Sequence, residues 1–244
     1  MNTYGLIGNP VEHSFSEKYF TEKFKREKIE AKYKTFKLKD ITELQDIIKK
    51  EGDLKGLNVT IPFKEEVIPF LDEVEAQAES IGAVNTIKFE DGKRIGYNSD
   101  VFGFMKSLFP LIEKQHTNAL VLGTGGASKA IVHALHSLGI DYKMVSRSPK
   151  TNQFSYEEID EDIMNEYKLI INCTPLGTYP KTEESPAIPY KFLTPQHLLY
   201  DLTYNPPITQ FLANGQQRGC KIFNGQKMLE FQAERSWEIW NEKR

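Results

Sequence analysis

Ala119-Leu-Val-Leu-Gly123-Thr124-Gly125-Gly126-Ala127-Ser128 lies near the middle of the 244-residue chain, and its reading decides the fold. An apolar run, Ala119 to Leu122, stops at closely spaced glycines. Beyond them Ala130, Ile131, Ala134, Leu135 and Leu138 fall on one helical face. Strand, tight turn and helix in that order match the dinucleotide fingerprint, with Ser128 where the third glycine would sit. Gly123 and Gly125 permit a sharp turn and a close backbone approach to a pyrophosphate seated on free N–H groups at the helix start. Taken alone, the pattern also fits a plain strand-to-helix turn.

The next segment favours the nucleotide reading. The strand Asp141 to Ser146 ends where an NAD site usually carries an acid for the ribose hydroxyls. Here the chain reads Ser146-Arg147-Ser148, with Lys150 close behind. Hydroxyls and cations suit a 2′-phosphate, and an acid would repel one. The expected cofactor is therefore NADP(H). Further apolar runs, Lys168 to Gly177 and His197 to Tyr204, supply more strands. A short helix over 208–216 and a last strand over 221–225 follow, then a core-packing helix from Gln226 to about Asn241 with Leu229, Ala233, Trp237 and Trp240 on one stripe.

Working back to the start, Tyr4–Gly8, Ala31–Leu38 and Gly56–Pro62 read as strands separated by helices over 17–28 and 40–51. That alternation implies a parallel α/β layer. Ser14 and Ser16 precede the first helix; they serve as N-caps, or bind a small anion. Asn58, Thr60 and Lys64 fall at the carboxyl end of the third strand, where open α/β sheets bind ligands. A helix with a break near Pro69 is expected over 65–80. A hairpin turns at Asp91-Gly92. Asn85 fits a satisfied structural amide or a ligand contact, and Asp100, opening the helix 101–108, fits a cap or a catalytic acid.

A formal net charge of −3 argues against nucleic acid as the main partner, and the basic residues of 17–30 are interleaved with glutamates. Two cysteines, Cys173 and Cys220, stand in no metal spacing and in or near apolar stretches, so reduced buried thiols are expected and no metal site. No signal peptide and no long apolar run is visible, so a cytoplasmic protein without a membrane span is expected.

Seven separated blocks resemble the shikimate dehydrogenase family over nearly the whole chain. They are Gly5-Leu-Ile-Gly8-Asn-Pro10 with His13-Ser14-Phe-Ser16, Gly56-Leu-Asn58-Val-Thr60-Ile-Pro62-Phe-Lys64, Gly82-Ala-Val-Asn85-Thr86, and Asn98-Ser-Asp100-Val-Phe-Gly103. The others are Gly123-Thr-Gly-Gly-Ala127, Asn172-Cys-Thr174-Pro-Leu-Gly177 and Asp201-Leu-Thr-Tyr204-Asn-Pro206. The resemblance implies reversible oxidation of shikimate to 3-dehydroshikimate, run as NADPH-dependent reduction in aromatic amino acid (chorismate) biosynthesis. It implies two α/β domains with a cleft between them. One, 1–99 with 226–244, has a mainly parallel sheet and binds shikimate; the other, 100–225, is a Rossmann-type NADP domain. A monomer or homodimer is expected.

By the same resemblance, Ser14, Ser16 and Tyr204 bind the substrate carboxylate, and Thr60, Asn85 and Gln232 contact the substrate, with Asn58 at the same strand end. Lys64 and Asp100 form the acid–base pair. Gly123, Thr124, Gly125, Gly126, Ala127, Ser146, Arg147, Ser148, Lys150 and Thr174 hold the cofactor, and Leu202, Gly225 and Met228 line its nicotinamide. The family's usual Gly-Leu-Gly-Met reads Gly225-Gln226-Lys227-Met228 here, and the stretch 149–168 is short. Two alternatives stay open: a quinate/shikimate dehydrogenase of the same fold, and a nucleotide-binding regulator without catalysis.

Overall fold

The computed structural model describes residues 1–11 and 14–242; His13 of the first block lies outside them. The chain forms two compact units, Met1–Gly103 with Glu230–Arg244, and Phe104–Leu229. Both divisions fall inside helices, which begin at Asp100 and Gln226.

In the first unit the chain runs β1 (Asn2–Gly8), α1 (Phe15–Glu27), β2 (Ala31–Lys37), α2 (Leu44–Lys50) and β3 (Leu54–Val59). It continues through β4 (Glu73–Val74), α3 (Ala76–Ile81), β5 (Thr86–Glu90) and β6 (Lys93–Tyr97) into α4 (Asp100–Leu108). The sheet order is β2-β1-β3-β5-β6-β4. β1 pairs in parallel with β2 and β3, whereas β5 runs antiparallel to β3 and β6. The β5–β6 hairpin turns through Asp91 and Gly92, both at positive φ (51° and 78°), as a two-residue loop with the right twist demands.

Alternation along β1 divides the core between two faces. Tyr4 and Leu6 pack with Phe20, Phe24, Tyr33 and Trp240. Ile7 packs on the opposite face with Leu38, Leu44, Leu57 and Ile87. The C-terminal helix α8 (Gln226–Asn241) brings Trp240 so close to β3 that a Cβ on Gly56 would lie 2.3 Å from its Nε1. That Nε1 donates to the Ile87 carbonyl at 3.0 Å.

The helix expected over 65–80 does not form as one element. A series of turns and one 3₁₀ turn (Ile68–Phe70) lead into β4, and only Ala76–Ile81 is helical. The reason is an edge position. Glu73 and Val74 pair with Ile95 and Gly96, and Asp72 takes bonds from the Arg94 backbone N–H and guanidinium. These contacts outcompete the weak helical pattern around Pro69.

The second unit contains β7 (Asn118–Leu122), α5 (Gly126–Ser137), β8 (Asp141–Val145), α6 (Glu161–Glu166), β9 (Leu169–Asn172), β10 (Leu198–Asp201), α7 (Gln210–Gln217) and β11 (Lys221–Phe223). Its five strands are all parallel in the order β11-β10-β9-β7-β8. The order reverses at β7, whose neighbours β8 and β9 lie on opposite sides; ligands of doubly wound sheets bind beyond such a switch point. The central strands β7, β9 and β10 are buried almost throughout, as parallel strands covered on both faces are. Among the described residues no helix is long and apolar enough to cross a membrane.

Two buried histidines secure the second unit in their neutral form. His197 Nδ1 accepts from the Thr194 N–H at 3.0 Å while Nε2 donates to the Met164 carbonyl at 2.8 Å. His116 Nδ1 accepts from the Glu113 N–H at 2.8 Å while Nε2 donates to the Gln196 carbonyl at 3.2 Å. Burial lowers both pKa values. The unfolded chain therefore binds protons first as pH falls, so this stability is complete above the ordinary histidine value of about 6.5 and is lost below it. The thermal midpoint, followed by circular dichroism, is expected to drop between pH 7 and pH 5; a flat profile would count against the neutral assignment.

Candidate active site and cofactor cradle

Lys64 stands just beyond β3. The Thr60 N–H bonds the Ile7 carbonyl at 3.0 Å, the chain turns as Phe63 N–H bonds Thr60, and the Lys64 carbonyl accepts from Val84 at 2.7 Å. From this anchored backbone Lys64 Nζ reaches Asp100 Oδ2 at 2.6 Å, with side chains 17% and 11% exposed. Asp100 is the first residue of α4, yet it does not cap that helix. The Asn98 side chain does so: its Oδ1 accepts from the N–H groups of Asp100 (3.0 Å) and Val101 (3.3 Å). The Asp100 carboxylate is thereby left for the lysine.

Beside the pair lies a buried, uncharged polar network. Asn85 Oδ1 accepts from the Ser99 N–H at 2.7 Å and Nδ2 donates to Ser99 Oγ at 3.0 Å, which leaves one Nδ2 hydrogen without a partner among the described residues. The hydroxyls of Thr86, Ser99 and Ser236 form a triangle with sides of 2.8, 3.0 and 3.2 Å. Gln232 Oε1 accepts from Ser99 at 3.3 Å. Asn58, expected at the substrate, is spent inside the fold. Its Oδ1 accepts from Tyr33 at 2.8 Å, and Nδ2 donates to Ser236 at 2.9 Å and to the Asn85 carbonyl at 3.3 Å. It supports Asn85 from beneath, because its strand position points it into the sheet–helix layer.

Ser14 is the N-cap of α1, accepting from the Ser16 N–H at 3.2 Å. Ser16 is itself buried, and the Tyr33 hydroxyl donates to Asn58. The half-buried Thr60 keeps its hydroxyl free of partners among the described residues. Sequence reading missed Tyr33, Ser99 and Ser236 as members of this network. Ser236 follows Gln232 by four residues on α8, a spacing that puts both on one face.

In the second unit, Gly123 has φ +99°, and a Cβ there would lie 2.9 Å from Thr174 Cγ2. Gly125 starts α5 with no side-chain cap, and a Cβ on it would meet nothing within 4 Å. Thr124 and Gly125 are exposed, with Gly126 and Ala127 half-buried behind them. Ser128 is fully buried and its Oγ donates to the Gly125 carbonyl at 2.6 Å, so the small residue closes the turn as a third glycine would. At the end of β8, the Ser148 N–H bonds Ser146 Oγ at 3.2 Å. Arg147, Ser148 and Lys150 are exposed, and Arg147 has no acidic partner among the described residues. Open helix N–H groups next to an unpaired guanidinium fit a dinucleotide bearing an extra phosphate.

The far end of the cradle rests on Asp201. This buried carboxylate, its pKa raised by desolvation, accepts from Asn172 Nδ2 (3.1 Å), the Thr203 N–H (2.9 Å) and Thr209 Oγ1 (2.6 Å). Asn172 Oδ1 in turn accepts from Thr174 Oγ1 at 2.6 Å. With the loop after β10 fixed, Leu202 approaches Gly225 so closely that a Cβ would lie 2.0 Å from its carbonyl oxygen. Met228 is buried, and Tyr204 is half-buried in the same loop as Leu202. Both cysteines are free, Cys220 buried and Cys173 half-buried; burial pushes the Cys220 thiol up to about 11.

Residues 6–87 match the model of the shikimate dehydrogenase substrate binding domain. Over 98% of its length the chain is 37% identical to a shikimate dehydrogenase (NADP(+)) of Clostridium botulinum, covering 96% of that protein. The chain belongs to the shikimate dehydrogenase family. Another member, from Methanococcus maripaludis, is 39% identical over 97% of this chain and 90% of its own. Among solved structures, the shikimate 5-dehydrogenase of Thermus thermophilus, in complex with NADP(H) and shikimate, superposes with a TM-score of 0.88. It is 27% identical, with 99% of this chain and 94% of that one covered.

The glycine geometry yields a test of the cradle. Gly123→Ala places a side chain at positive φ, at a cost of about 1–2 kcal/mol, and against Thr174. NADPH affinity, read by cofactor fluorescence, is expected to fall about tenfold or more; unchanged affinity would show that this turn does not hold the dinucleotide.

Proposed function

We propose that the protein is an NADP-dependent oxidoreductase that interconverts shikimate and 3-dehydroshikimate, working as ketone reduction by NADPH. The observation that carries this is the 2.6 Å contact between Lys64 and Asp100 at a strand end, beside uncharged hydrogen-bonding groups. Family membership and the open α5 N-terminus support the cofactor, and the unpaired Arg147 supports its phosphorylated form. The two units correspond to a substrate domain, 1–103 with the C-terminal helix, and a cofactor domain.

NADP supplies the hydride acceptor when bound. Gly123 to Ala127 and Thr174 hold its pyrophosphate, Ser146, Arg147, Ser148 and Lys150 its 2′-phosphate, and Leu202, Gly225 and Met228 its nicotinamide. Ser14, Ser16 and Tyr204 take the substrate carboxylate. Thr60, Asn85, with its spare Nδ2 hydrogen, and Gln232 orient the ring hydroxyls. As hydride leaves the alcohol carbon, the hydroxyl proton passes to Lys64; in reduction the Lys64 ammonium returns it to the growing oxyanion. Asp100 accepts from Lys64 Nζ and so keeps the amine aimed at that oxygen. A positioned acid–base group of this kind contributes about 10²–10⁴ in rate.

Lys64→Ala is expected to lower kcat by about that factor while KM for shikimate stays within a few-fold. Unchanged kcat ends the assignment. Arg147→Ala is expected to lower the ratio of kcat/KM for NADP over NAD by about tenfold or more, the loss of one charge-assisted phosphate contact. An unaltered ratio places the phosphate elsewhere. Assays with shikimate and quinate, each against NADP and NAD, separate this reading from a quinate enzyme, and absence of turnover with all of them would mark a binding protein.

A further inference from the structure

Asn98 bonds the backbone of Asp100 directly and is linked to that of Lys64 only through Ala83 and Val84. It is buried, at 6% exposure, and its two amide ends face opposite ways. Oδ1 accepts from the N–H groups of Asp100 at 3.0 Å and Val101 at 3.3 Å, which fixes the first turn of α4. Nδ2 donates to the Ala83 carbonyl at 2.9 Å. The next residue, Val84, donates its N–H to the Lys64 carbonyl at 2.7 Å. A single amide therefore bridges the backbone that carries the carboxylate to the segment before β5 whose Val84 N–H holds the Lys64 backbone.

From this bridge we infer that Asn98 is a positioning residue for the acid–base pair. The inference rests on the reading of Lys64 and Asp100 as that pair. The chemistry requires a neutral group with both an acceptor and a donor. An aspartate would cap the helix equally well, but it could not donate to Ala83 and would set a second carboxylate beside Asp100. A serine can cap the helix through its hydroxyl, but its one short arm cannot also reach the Ala83 carbonyl. Alanine loses both. An acid–base group misplaced by about 1 Å costs on the order of 10²-fold in rate, so removing the bridge acts on turnover and leaves substrate binding to other residues.

The experiment is a double-mutant cycle on the full chain, with kcat and KM for shikimate measured at saturating NADP. Asn98→Ala is expected to lower kcat about 10²-fold with KM within about threefold, and Asn98→Ser to recover part of that loss. In the Lys64→Ala background, Asn98→Ala is expected to cost less than about twofold more, because the pair it aligns is already gone. An equal loss in both backgrounds, or a loss confined to KM, overturns the inference. If Asn98→Ala does not fold, Asn98→Ser carries the same cycle with the same two outcomes. Failure of the acid–base reading is distinct, since there Lys64→Ala itself leaves kcat unchanged.

Discussion

The ion pair of Lys64 and Asp100 is the constraint to which the first unit is built. Neither charge is well exposed, and removing one would strand the other in a poorly hydrated site. The fold meets this by anchoring both backbones. The turn after β3 is tied to β1 and to Val84, and the start of α4 is tied by Asn98. What surrounds the pair in the network is uncharged: Asn85, Asn58, Thr86, Ser99, Ser236 and Gln232. Such groups fix geometry by hydrogen bonds without adding a competing charge.

The second unit offers a ligand mostly backbone. At Gly123 and Gly125 it withholds side chains, so the start of α5 stays open, and Arg147 and Lys150 stand exposed beyond β8. Its buried carboxylate, Asp201, is turned inward to hold Asn172, Thr203 and Thr209.

Much of this was legible in the residues because period and turn chemistry agree. The glycine turn, the Asp91-Gly92 hairpin and the span of α8 follow from local rules, and Lys64 follows from a strand end, while the pairing of Asp100 with it comes only from the family resemblance. The 65–80 segment was not legible, since its state is decided by an edge pairing with β6 and by Arg94 far along the chain. Asn58 and Asn98 take up roles that spacing does not reveal, for the same kind of reason. An amide's side chain has donor and acceptor ends, and which partner each finds depends on elements distant in sequence. The hydroxyl triangle was hidden too, because Ser236 joins it from the opposite end of the chain.

Trp240, lodged against Gly56, has a consequence for how the molecule comes into being. Residues 104–229 are one unbroken stretch and possess their whole apolar interior as soon as they have been made. The first unit does not: its sheet is laid down early, but the indole that covers β3 and the serine that completes the hydroxyl triangle arrive only with the final helix. During synthesis from the N-terminus the middle of the chain can therefore close before its beginning does. Until α8 packs on the early sheet, the polar network of the first unit lacks two of its members, Gln232 and Ser236.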